Sequence, residues 1–152
     1  MKSFEYAVIR VVPRVERGEA INVGVILYSQ QNRYLCSRIE LDEGRLLALD
    51  PAVDVAAVRS ALSAFGKACT EGPLASQPLG ERFRWLTAPR STIVQPGPVH
   101  SGLTEDPAAE LTRLFGALVR LLRLSRGGLS WEVLGRGVLA GGVQPGEHVR
   151  WR

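Results

Sequence analysis

Two runs of β-branched and aromatic residues, FEYAVIRVV at 4–12 and EAINVGVILY at 19–28, stand six residues apart. Pro13 ends the first, since proline has no N–H to give a strand ladder. Gly18 closes the charged turn RVERG between them. A third run, YLCSRI at 34–39, follows the polar turn SQQNR. Three strands joined by links this short form an antiparallel meander. The first run is apolar on both faces, as in a central strand. The second alternates, with Ile21, Val23, Val25 and Leu27 on one face and Asn22, Gly24, Ile26 and Tyr28 on the other.

Helices follow the meander. Asp50-Pro51 reads as a cap and first helical position, and Asp54 offers a slightly later start. Val55, Val58, Leu62, Phe65 and Cys69 then recur at helical spacing. Gly72-Pro73 stops that helix, and residues 73–81 read as a loop. Residues 82–86, RFRWL, read as a short strand. The segment 87–103 holds three prolines and two glycines, which excludes a helix, yet it carries Ile93, Val94 and Val99. An extended strand followed by an ordered crossing loop is expected there. Asp106-Pro107 starts a second helix with Leu111, Leu114, Phe115, Leu118, Leu121 and Leu122 as its apolar stripe. The expected class is α+β, a mostly antiparallel sheet covered on one face by two main helices. A single domain is expected over 1–125. A Gly/Arg-rich extension follows at 126–152, with seven glycines around short apolar runs, either a hairpin packed on the same domain or a loosely held tail.

Composition bounds the function. A chain of 152 residues, 45% hydrophobic and 22% charged, can bury a core and is not disordered. No apolar run approaches the roughly 20 residues of a membrane span. The opening residues carry Glu5 within their apolar stretch and no small-residue cleavage pattern, so they read as a strand and the cytoplasm is the expected compartment. Cys36 and Cys69 have no CxxC partner and read as small buried hydrophobes. Two histidines, His100 and His148, make no zinc-spaced set, and no metal is expected, although a site of carboxylates alone stays open. No phosphate-binding glycine loop occurs, since GRGVLAGG has neither known spacing; no cofactor or ATP hydrolysis is expected. Trp85, Trp131 and Trp151 form no stacking array for RNA. Of 19 basic residues 17 are arginine, against 15 acids, and they are spread along the chain. Nucleic-acid binding by charge is therefore weakly supported.

Two polar segments are candidates for chemistry. In the first, Glu19 opens a strand at the rim of the sheet, and Asn22 is placed on the side of Gly24, whose bare backbone admits a helix or ligand. Pairing of Glu19 with Arg17 or Arg14, and a loop-backbone bond from Asn22, is the structural alternative. The second segment gathers Arg90, Ser91, Gln95 and His100 in a proline-stiffened stretch. Arg90 suits an oxyanion, and His100 is the plausible general base there. Ser91 is a nucleophile only with a base in reach, and no GxSxG elbow is present.

The same segments carry a resemblance. YAVIRVVPRVERGEAINVGVILY and FRWLTAPRSTIVQPGPVHSGLTEDPAAELTRLF resemble, in order, the two signatures of the bacterial domain-of-unknown-function family DUF 3037, over about residues 4–124. The matching positions include Glu19, Asn22, Gly24, Arg90, Ser91, Gln95 and His100. The resemblance implies no reaction. It does imply a context, since such proteins are often encoded beside HipA-like kinases. The expected role is therefore a binding or accessory module for a protein partner, with a HipA-like kinase as the named possibility. The alternative is a small enzyme on a phosphate-bearing or nucleic-acid substrate. Arg90 would then bind phosphate, His100 act as acid and base, and Glu19 orient it or hold a metal. That alternative requires the two segments to converge in one pocket.

Overall fold

The structure, a computed structural model, describes residues 1–120. Its element order is β1 (Lys2–Val11), β2 (Ile21–Ser29), β3 (Tyr34–Ile39), α1 (Glu43–Leu49), α2 (Val55–Lys67), α3 (Leu79–Leu86), β4 (Val94–Pro96), β5 (His100–Thr104) and α4 (Pro107–Leu118). The meander forms as expected, β1 against β2 against β3, all antiparallel. Both turns use the left-handed region, Gly18 at φ 69° and Arg33 at φ 50°. β1 is central. Its second edge is shared by β4, opposite Ile9–Val11, and β5, opposite Lys2–Tyr6. The class is α+β.

One irregularity sets which residues face where. Ile9 pairs with Gly24 but Arg10 pairs with Asn22, so Val23 is an extra residue on β2, a β-bulge. The bulge reverses the alternation. Ile21 and Val23 therefore join Ile26, Ala7, Ile9 and Val11 in one apolar cluster, while Val25 and Leu27 join Phe4 in another. The uninterrupted alternation expected over 21–28 is corrected at this point, and Asn22 and Gly24 fall on opposite faces.

The sheet carries four helices rather than two. Leu46 of α1, Val58, Leu62 and Phe65 of α2, and Phe83 and Leu86 of α3 enter the first cluster. Leu111, Leu114 and Phe115 of α4 enter the second, so the helices divide between the two sides of β2. Asp54 caps α2, accepting from the Ala57 N–H. Asp50 instead follows α1, and its carboxylate takes the Ala52 N–H and the Arg14 guanidinium. Asp106 caps α4 by accepting from Ala108 and Ala109, with Pro107 at the first position as read from sequence.

The strand expected at 82–86 is a helix. Its R-F-R-W alternation imitates a strand, but burial falls on Gly80, Phe83 and Leu86, three apart, while Trp85 is 54% exposed. The crossing loop expected late in 87–103 is largely strand β5. The readings of Leu121, Leu122 and the 126–152 extension lie outside the described residues. No helix among the described residues is long and apolar enough to cross a membrane.

Candidate functional site

The two edges of the sheet differ in chemistry. On one, β4 and β5 run in the same direction along β1, separated by Gly97, Pro98 and Val99. Pro96 and Pro98 remove two N–H groups there, and the Gly97 N–H is spent on the Val8 carbonyl at 2.7 Å. Prolines and interruptions of this kind blunt an edge against further pairing.

The β3 edge has no such protection. Its even-numbered peptide groups turn inward. The Arg38 carbonyl lies 2.7 Å from where a Gly24 β-carbon would stand, and the Glu40 N–H donates to Val23 at 2.7 Å. By alternation the peptide groups of Leu35, Ser37 and Ile39 point outward. None of these residues is fully buried. Along this edge runs an open groove of about 480 Å³ between β3 and α2. Ser37, Ile39 and Leu41 form one wall, and Leu62, Ser63 and Gly66 the other. Arg59 and Lys67 stand on its α2 side. Gly66 keeps the groove open, since a β-carbon there would reach Ile39 Cδ1 at 3.6 Å and Ser37 Oγ at 3.9 Å. From Arg59 to Lys67 is about 12 Å of helix, the length of roughly four strand residues.

Cysteine chemistry at this edge is quiet. Cys69 is buried and donates from Sγ to Ser37 Oγ at 3.5 Å, and burial pushes its thiol pKa up. Cys36 packs with the α4 cluster instead, and both thiols are free. Beside it, burial pushes the Tyr34 phenol up to about 12, with Cys36 adding to the shift.

The residues singled out from sequence scatter over the sheet. Glu19 forms an exposed ion pair with Arg17, the structural alternative given above. It lies beside the Arg14–Asp50 pair, in which the Arg14 guanidinium and then the Ala52 N–H hold the Asp50 carboxyl below its usual range. Gly24 admits strand packing rather than a ligand: its missing β-carbon is replaced by the Arg38 carbonyl, Ile39 and Ile9. Arg90 closes the C-terminal end of α3. It donates to the carbonyls of Trp85 at 2.6 Å, Ala88 at 3.3 Å and Leu86 at 3.4 Å, with its guanidinium 5.0 Å above the Trp85 ring. Ser91 is exposed in the bend before β4. His100 is exposed opposite Tyr6, their rings 5.3 Å apart.

Convergence of Glu19 and His100 is not what the register gives. Ile21 pairs with Val11, so Glu19 lies beyond the Val11 end of β1, whereas His100 pairs with Tyr6. Five strand residues separate those positions, about 17 Å. Ser91 precedes Val94, which also pairs with Val11, so it too lies at the end remote from His100. Acid–base work needs hydrogen-bond contact or one bridging water. Among the described residues no three His, Cys, Asp or Glu gather as a metal set.

Asn22 and Gln95 do come together, through a residue the sequence reading passed over. Both pair with Arg10, one from each side. Asn22 also donates to the Leu118 carbonyl at 3.0 Å, at the end of α4. Within one apolar strand Arg10 was a single charge; only the register shows that it lies between two amides.

No curated protein and no solved structure matches the chain. A family model does, described as Protein of unknown function (DUF3037), over residues 6–119, from the central strand β1 through α4. That span holds the meander, both sheet edges and the groove, and the chain belongs to this family.

Proposed function

We propose that this protein is a binding module that receives an extended segment of a protein partner along the outer edge of β3. The observation that carries this reading is the asymmetry of the edges. Along β4 one edge is blunted by Pro96 and Pro98, while the β3 edge presents three outward peptide groups beside an open groove. An unprotected edge is a template for another chain. In strand addition the main-chain bonds give affinity and alternate side chains enter the adjacent groove. The fitting segment is about four residues long, with alternate apolar side chains for Ile39, Leu41 and Leu62 and an acidic residue for Lys67, since Arg59 is paired with Glu43. A HipA-like kinase, the context the family resemblance implies, is the first partner to test. The function is then one of docking rather than turnover.

The experiment compares the native chain with two variants in affinity purification from its own cells after nuclease treatment. Ser37→Pro removes an outward N–H without touching the β2 ladder. Gly66→Leu fills the groove. Circular dichroism and thermal midpoints establish that each variant is folded. A stoichiometric partner held by the native chain and lost from every folded variant is expected. Equal retention by native chain and variants, or no partner on the native chain, overturns the reading.

A further inference from the structure

We propose that Arg10, between Asn22 and Gln95, is a binding site for a small oxyanion, the carboxylate or phosphate group of a ligand. The three residues occupy one cross-strand row over β2, β1 and β4. Directly paired residues share a face and place their β-carbons about 5 Å apart. The row therefore sets a guanidinium, which only donates, between two side-chain amides, each with an NH2 donor and a carbonyl acceptor.

Among the described residues the Arg10 Nε is fully buried and has no hydrogen-bond partner. A buried donor left unsatisfied, on a group that stays charged, carries a desolvation penalty until an acceptor reaches it. No acidic side chain among the described residues pairs with Arg10; their guanidinium–carboxylate pairs use Arg14, Arg17, Arg59, Arg113 and Arg120. The neighbour is Gly97, just past the end of β4, and a β-carbon there would stand 3.9 Å from Nε, in ordinary contact. Asn22 spends one amide N–H on the Leu118 carbonyl, which fixes the side chain and leaves its second N–H. An oxyanion supplies what the row lacks, a negative charge opposite to the fork. The site faces the α4 end of the sheet, whereas the β3 groove lies against α2, so neither reading depends on the other.

Nitrogen-proton NMR of the arginine Nε–Hε groups of the full chain reads this nitrogen directly. The chain is titrated with inorganic phosphate and, separately, with acetate. The Arg10 Hε signal is expected to move downfield and saturate, with the exposed arginines unmoved. Response to acetate identifies a carboxylate site, and response to phosphate alone a phosphate site. Arg10→Gln is expected to abolish the accompanying rise in thermal midpoint. Arg10→Lys keeps the charge without the fork and is expected to weaken it. Three results overturn the proposal: an Hε already downfield and unmoved by either anion, a non-saturating drift shared by all arginines, or anion stabilisation that persists in Arg10→Gln.

Discussion

Arg90 shows how a residue type chosen for chemistry can be used for architecture. Arginine beside serine and threonine in a stiff segment fits oxyanion binding, yet here the guanidinium faces the last carbonyls of α3, Trp85 and Leu86, and that of Ala88 just beyond it. A cation at a helix C-terminus is favourable through both hydrogen bonds and the helix dipole. Arg90→Ala should lower stability by about 1–2 kcal/mol, read from urea denaturation, while binding at the β3 edge is kept in the folded protein. Unchanged stability would mean these bonds contribute nothing in solution. Asn22 and Gln95 stood out in sequence only as polar residues, one beside Gly24 and one in a proline-stiffened stretch. Arg10 did not, because its meaning depends on strand register, which is a long-range property. His100 was legible only as a titratable group; its neighbour, Tyr6, is 94 residues away in sequence.

At the scale of elements, two glycines with opposite surroundings test the packing. Gly24 sits beside the bulge, where an added β-carbon meets the Arg38 carbonyl at 2.7 Å and Ile39 Cγ1 at 3.0 Å. A backbone neighbour cannot swing aside, so Gly24→Ala should cost about 1–3 kcal/mol. Gly66 lies in α2 and faces the groove, with its nearest contact at an ordinary 3.6 Å. Gly66→Ala should therefore raise stability by about 0.5–1 kcal/mol through helix propensity. Paired denaturation curves check both signs, and a stabilised Gly24→Ala would place the β2–β3 contact elsewhere. The meander, α2 and α4 were legible because short links, caps and period-consistent apolar stripes all agreed. α3 was misread because its exposed Trp85 supplied an apolar residue in a strand-like alternation. The bulge was not legible, because Val23 looks like any other strand valine until Arg10 is seen opposite Asn22. The missed α1 buries only Leu46, too little apolar surface to write a periodicity.

For the whole molecule, the arginine excess has to be reconciled with basic residues that are spread along the sequence rather than gathered in a run. The described arginines are largely engaged within the fold. Arg14, Arg17, Arg59, Arg113 and Arg120 bond carboxylates, and Arg82 donates to the carbonyls of Gln77, Cys69 and Ala75. Arg38 and Arg120 lie over the Phe115 ring at 4.7 and 5.4 Å. Each surface pair is worth little to stability, but each also cancels a positive charge where a phosphate would have to bind. A nucleic acid must then compete with these partners or rely on cations outside those pairs, such as Arg33, Arg45 and Arg84, which are dispersed along the chain and bring only a few to one duplex. Four phosphate contacts correspond to a log–log salt slope of about −3.6 on duplex DNA. Random-sequence duplex should bind the full chain no more steeply than this, and retention should vanish well before physiological salt. Fluorescence anisotropy across a salt series measures the slope. A value near that of 6–10 contacts, roughly −5 to −9, would mean that the cations gather on one phosphate-binding surface, and the reading of a dispersed charge would fail.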